Sequence, residues 1–247
     1  MFKIMLVLAF LILSVSISPA QQSFEKDIIK SPTGDITITF IGHGTLMIEF
    51  DNKIIHVDPW SRAADYSTLP KADLILVTHE HGDHLDRNAV AAVRTEKTVL
   101  AYSESCSDQL GQFGGGTVMK NGTSSTLAGL KVDAVPAYNI VHKRDGGGPF
   151  HPRGVGNGYI ITLGGMKLYI AGDTENIPEM KALTNIDIAF LPMNLPYTMT
   201  PEMAADAALA FKPAILYPYH FGDTDTSELV TLLKGADGIE VRIRKME

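Results

Sequence analysis

Residues 78 to 86 read Thr-His-Glu-His-Gly-Asp-His-Leu-Asp, directly after the apolar run Leu74-Ile-Leu-Val77. Packing does not call for such a cluster, because polar side chains weaken a strand end and imidazoles held together repel once protonated. Metal binding accounts for it economically. His79 and His81 are two apart in an extended segment, so both can point the same way. Gly82 lets the chain turn, so Asp83 and His84 can face a second pocket beside the first. The expected chemistry is therefore that of two neighbouring metal ions.

Two other residues share the strand-end setting. Asp173 follows Tyr-Ile-Ala-Gly, where a carboxylate at a strand tip can reach a metal; the alternative is a turn-forming residue or a cap for the helix expected from Ile177. His220 follows Ile-Leu-Tyr-Pro-Tyr and could be a ligand or a core histidine. Asp58 is expected to sit behind the ligands, holding one of them, and His43, between two glycines, to turn toward the same site. Strand parity puts His56 and Asp58 on one face. Arg153, Tyr197 and Tyr219 are candidate substrate contacts, and Gly146 to Gly148 a candidate lid. Cys106 has no activating neighbour in sequence and is expected to pack.

The elements that must position these residues follow from apolar patterning. β-branched runs over 36–41, 46–50, 54–57 and 73–78, with turns at Gly42-His-Gly44 and Asp51-Asn52, predict a meander. A helix is expected over 88–94 with Asp86 as its cap, then a strand at 99–102 and a helix at 103–112. The second half repeats the order. Strands are expected at 129–135, 158–163 and 167–171, a helix at 177–183, a strand at 186–191, and a helix at 201–211 with Pro201 in its first turn. A strand at 214–217, a helix at 227–234 and a strand at 239–244 complete it. Each half runs strands first, then strand and helix in alternation, which fits an α/β fold of four layers, an αββα sandwich.

The pattern His79-x-His81-x-Asp83-His84 resembles the signature of the metallo-β-lactamase superfamily. Asp58 in His-Val-Asp-Pro-Trp, Asp173 in Ala-Gly-Asp-Thr and His220 in Tyr-Pro-Tyr-His resemble, in order, the family's early aspartate, its metal-bridging aspartate and its last histidine ligand. The Gly42-His43-Gly44 turn and residues 189–192 are similar to the ascorbate-6-phosphate lactonase-like metal-dependent hydrolases. The resemblance spans about residues 35 to 244. It implies the αββα fold and two divalent ions, Zn²⁺ first and Mn²⁺ or Fe²⁺ as alternatives. Their hydroxide would attack an ester, lactone, amide or phosphodiester, with Asp83 ligating one ion and taking up the released proton. Where that branch often carries its third histidine of the first pocket, this chain has Asn139. His151, stiffened by Pro152, is preferred as the substitute over His142, whose neighbours Lys143 and Arg144 would oppose a cation. His84 is unlike the pattern of the common broad-spectrum β-lactamases, which argues against antibiotic hydrolysis. Two other classes compete: a di-iron redox protein of the same fold, and a metal-binding protein without turnover.

The 247 residues carry a formal net charge of −7 and show no basic block, which argues against nucleic acid as a partner and leaves a small molecule. Lys3, the apolar run from Ile4 to Leu13 and Ser18-Pro19-Ala20 have the layout of an export signal over residues 1–20. Cleavage after Ala20 would release a periplasmic or secreted protein with no membrane attachment. Residues 21–34 are polar and are expected to form a linker ahead of one domain over 35–247. The single cysteine permits no internal disulfide.

Overall fold

The computed structural model describes residues 22–247, so the expected export signal lies outside the described residues. Two seven-stranded sheets follow one another along the chain. The first runs β1 (Glu25–Ser31), β2 (Gly34–Gly42), β3 (Thr45–Phe50), β4 (Lys53–Val57), β5 (Leu74–Val77), β6 (Val99–Ser103) and β7 (Thr117–Met119) in spatial order, antiparallel up to β4 and parallel after it. The second is ordered from β8 (Ser124–Leu127) through β9 (Leu130–Ala137), β10 (Gly156–Leu163), β11 (Met166–Ile170), β12 (Ile188–Pro192) and β13 (Ile215–Tyr219) to β14 (Glu240–Val241). It too is antiparallel up to β11 and parallel after it.

The all-apolar β5 explains the layering. Leu74 and Leu76 join the core between the sheets, while Ile75 and Val77 join a second cluster with Ala89, Val90 and Val93 of α1 (Arg87–Val93). A strand covered on both faces has no place for polar side chains until it ends, and the polar cluster starts there. Between the sheets, Phe40 of β2 meets Tyr217 of β13 and Phe190 of β12 at ring separations of 5.1 and 6.3 Å. Each such buried side chain contributes roughly 1.5–3 kcal/mol. On the outer side of the second sheet, α4 (Pro201–Phe211) buries Ala204, Ala207, Ala208 and Phe211, and Phe211 stands edge-on to Tyr169. Asp86 caps α1 as expected, accepting from the N–H groups of Asn88 and Ala89.

Several expectations are corrected. The expected linker holds β1, an edge strand paired with β2 along its whole length. Ile29 is its one buried apolar residue and Ile28 is exposed, so hydrophobic patterning gives little sign of it. Asp27 ties this edge to the other sheet through Arg244, Arg242 and the Tyr217 hydroxyl. The helix expected at 103–112 breaks into short turns around α2 (Ser107–Leu110), and that at 177–183 shortens to α3 (Pro178–Lys181). The last strand keeps only Glu240 and Val241, and β7 and β8 are additional to the expected set. His56 and Asp58 do not share a face. Asp58 has φ 45°, which breaks strand parity, and His56 instead donates to the Pro70 carbonyl beside Tyr66.

Candidate metal centre

The histidine cluster begins where β5 ends, and the other groups arrive from neighbouring strand ends. His43 comes from the β2–β3 turn, Asp58 from the end of β4, Asp173 from the end of β11 and His220 from the end of β13. His43, Asp58 and His220 all have positive φ, a costly backbone for these residue types that concentrates at functional sites. Two glycines make room. A Cβ on Gly44 would lie 2.8 Å from the His84 ring, and one on Gly172 would lie 2.6 Å from the Asn157 carbonyl.

Two groups of side chains converge, with Asp173 in both: His79, His81, His151 and Asp173, and His84, His220 and Asp173, the potential ligand atoms in each lying within 4.8 Å of one another. The two oxygens of Asp173 divide between them. Oδ2 faces His151 Nε2 at 3.1 Å and His79 Nε2 at 3.8 Å; Oδ1 faces His84 Nε2 at 3.4 Å and His220 Nε2 at 3.5 Å. Asp83 flanks the second group, its Oδ2 3.6 Å from His220 Nε2 and 3.0 Å from His43 Nε2. Structure thus brings every sequence-predicted ligand into one place. His142 stays out, its Nδ1 2.8 Å from the carboxylate of Glu175.

Partners behind the rings fix which nitrogen looks inward. Asp58 accepts from His84 Nδ1 at 2.8 Å, and from both the backbone N–H and the hydroxyl of Thr78 at 2.7 Å. That hydroxyl accepts in turn from His79 Nδ1 at 3.0 Å. One buried carboxylate therefore orients two histidines, one directly and one by relay, with Nε2 of each left toward the centre. His151 is oriented by Asn139, whose Oδ1 accepts from its Nδ1 at 2.7 Å and its backbone N–H at 2.9 Å. Asn139 thus holds His151 by both its ring and its backbone.

The donor set fits divalent cations. His84 Nε2 and Asp173 Oδ1 are buried without a hydrogen-bond partner, and His79 Nε2 and His81 Nδ1 meet at 3.1 Å with little else to satisfy both. Burial opposes charge on His84, yet the carboxylates of Asp173, Asp58 and Asp83 raise it to about 10. Burial alone would raise Asp173 and Asp83; the surrounding histidines instead hold both carboxyls well below the usual range. Burial and the neighbouring His84 keep His79 neutral, with its pKa far below the usual value. Ionised carboxylates and neutral imidazoles are the forms that bind metal, so a cation at the second group must displace the proton that the three carboxylates hold on His84.

Above these residues lies a cleft of about 330 Å³, bordered also by Arg144, Phe150, Asn194 and Tyr197. Of the candidate substrate contacts, Tyr197 lies there. Arg153 pairs with Glu179, and Tyr219 is buried, its hydroxyl accepting from the Gly172 N–H and bracing the turn that carries Asp173. Thr78 and Glu175 escaped the sequence analysis. Thr78 could have been found as the hydroxyl preceding the first histidine. Glu175 is buried and accepts from Asn139 Nδ2 and from the N–H groups of Ile140, Val141 and His142, so it anchors the loop that delivers His151. A lone acidic residue two positions past Asp173 carries no sequence signal for that role.

Comparison with known proteins identifies the family of this fold. A β-lactamase superfamily domain model matches residues 37–220. The chain belongs to that superfamily. A UPF0173 metal-dependent hydrolase from Pelotomaculum thermopropionicum is 31% identical over 221 residues, covering 83% of this chain and 95% of the relative. A crystal structure of a protein provisionally described as a metal-dependent hydrolase, from Parabacteroides distasonis, is 53% identical with TM-score 0.86, covering 91% of this chain and all of that one. Igni18, a metallo hydrolase from Ignicoccus hospitalis, is 26% identical with TM-score 0.70, covering 86% and 96%. The chain is a metal-dependent hydrolase of this superfamily, and its two mixed sheets with outer helices are the fold its sequence pattern predicts.

Proposed function

We propose that the protein hydrolyses an ester, lactone, amide or phosphodiester bond in a small molecule with two divalent ions, Zn²⁺ by preference, held in adjoining pockets. The observation that carries this is the division of Asp173, one oxygen toward each group of histidines. His79, His81 and His151 would hold one ion, His84, His220 and Asp83 the other, and Asp173 both. Ligands of nitrogen and oxygen without thiolate suit Zn²⁺. When bound, such ions supply Lewis acidity and lower the pKa of water toward neutrality.

The chain's own groups do the rest. Asp83 is the accessible carboxylate of the centre, 36% exposed against 5% for Asp173. His43 steadies one of its oxygens, and its ionised form can take the proton lost by the attacking water. His81 and His151 of one group, His220 of the other, and Asp173 line the cleft beside Asp83, so a scissile bond entering it meets both groups and Asp83 together. Likeness to the ascorbate-6-phosphate lactonase-like branch supports a lactone or ester over a peptide. The leader-like first twenty residues support action outside the cytoplasm.

Metal analysis of the purified protein tests this together with turnover of 4-nitrophenyl butyrate, γ-butyrolactone and bis(4-nitrophenyl) phosphate. Two equivalents of zinc and turnover of at least one class are expected, with Asp83→Asn slower by about 10²-fold or more. Unchanged turnover in both Asp83→Asn and His81→Ala would sink the proposal.

A further inference from the structure

The cleft is bordered by one charged group that hydrolysis itself does not use. Arg144 stands on the loop between β9 and β10 and lines the same space as His81, Asp83, His151, Asp173 and His220. It is held there. Its Nη2 donates to the Phe150 carbonyl at 3.1 Å, and the guanidinium lies 5.4 Å over the Phe150 ring. The backbone closes beneath it, with the Arg144 N–H donating to the Gly148 carbonyl and the Gly147 N–H to the Arg144 carbonyl, each at 2.8 Å.

Arg153 pairs with Glu179, and Arg242 and Arg244 with Asp27. Arg144 has no carboxylate partner among the described residues. Arg62, Arg87 and Arg94 also lack one, but none of them lines the cleft, and no lysine does. A guanidinium fixed in place with free N–H groups matches a planar carboxylate better than a mobile lysine would.

The surroundings specify the remainder of such a ligand. Phe150 and Tyr197 meet edge to face at 5.0 Å and form an apolar wall beside Arg144. Ile140 and Val141 on the same loop, and Leu195 on the facing turn, expose large apolar side chains to solvent. Loop and turn are joined by Asn139 Nδ2 donating to the Tyr197 carbonyl at 2.9 Å.

We propose that the substrate is an organic carboxylate. Its apolar body seats against Phe150 and Tyr197, and its carboxylate, separate from the bond being hydrolysed, is read by Arg144. This rests on the hydrolase reading of the same cleft, so the test uses one measurement that requires turnover and one that does not.

Calorimetric titration of the purified, metal-containing protein with 4-phenylbutyrate and with neutral 4-phenylbutyramide gives the second. The acid is expected to bind about tenfold or more tighter than the amide. Arg144→Gln should bring the two within about twofold, and Arg144→Lys should restore part of the gap. Equal affinities in the unaltered protein, no binding of either compound, or a preference that survives Arg144→Gln each overturn the proposal; the last would assign the carboxylate to the metals. For turnover, mono-4-nitrophenyl glutarate is compared with 4-nitrophenyl pentanoate. Arg144→Gln should lower the ratio of their kcat/KM values about tenfold, through KM. If neither ester is cleaved but the binding pattern holds, hydrolysis fails and the anion site stands. If both are cleaved without regard to charge, hydrolysis stands and the anion site fails.

Discussion

The two histidine groups that share Asp173 are oriented by different chemistry. In the first, His79 and His151 donate to neutral oxygens, the Thr78 hydroxyl and the Asn139 amide. In the second, His84 donates to the Asp58 carboxylate, and Asp83 is steadied by His43. An anionic partner makes an imidazole more basic and a stronger ligand than a neutral one does. The first pocket is also deeper in supporting structure, because Asn139 leans on Glu175, and Glu175 on three backbone N–H groups. The lesson is that one centre can combine a pocket tuned by charge with a pocket tuned by position.

The largest effect should come from the group common to both. Asp173→Ala is expected to empty both pockets and cut turnover by about 10²-fold or more, whereas His84→Ala should spare the metal of the first pocket. Elemental analysis of the two variants separates these outcomes; two retained equivalents in Asp173→Ala would show that the groups are not coupled.

Next in size is the contrast between the two kinds of support. Asp58→Asn should weaken metal binding about 10- to 100-fold, and Asn139→Ala by less, because only the first removes a charge. Competition with a chromogenic chelator measures both, and the reverse order would break the comparison. Glu175→Gln tests support by position. Losing the charge that gathers Asn139, Ile140, Val141 and His142 should cost about 1–3 kcal/mol in urea unfolding. The burial that would raise this carboxyl is outweighed by those N–H donors, so it stays ionised.

A pH effect of comparable size belongs to His56, a buried histidine outside both groups. Burial, only partly offset by the Pro70 carbonyl, lowers it from 6.5 to about 4. As pH falls through 6.5 the unfolded chain binds a proton that the folded chain refuses until about pH 4. Stability present at neutral pH is therefore lost across that window, by about 3 kcal/mol in all. His56→Met should flatten the change in urea midpoint between pH 7 and pH 5; an unaltered slope would assign the acid sensitivity to the metal groups instead.

Legibility differed by region for physical reasons. The segment 79–84 could be read directly, because both pockets take ligands from consecutive positions of one chain segment, and local spacing sets their directions. Asp173 and His220 were legible as polar residues ending apolar runs. Residues 139–151 were not so clear. Sequence separates His151 from His142 only by the neighbours Pro152, Lys143 and Arg144; what decides between them is Glu175, which lies 24 positions beyond His151 and holds His142 away from the centre. β1 was hidden for a similar reason, since an edge strand held by its ladder and by Asp27 needs little hydrophobic pattern.

By itself the sequence determined the two-sheet order, the metal-binding character of the centre and most of its histidines and carboxylates, since these follow from periodicity and from residue types that packing would not choose. Tertiary structure alone decided which nitrogen of each ring faces inward, how Asp173 divides its oxygens, and that Asn139 serves His151. Those depend on partners tens of residues apart, brought within hydrogen-bond distance only when the two sheets pack.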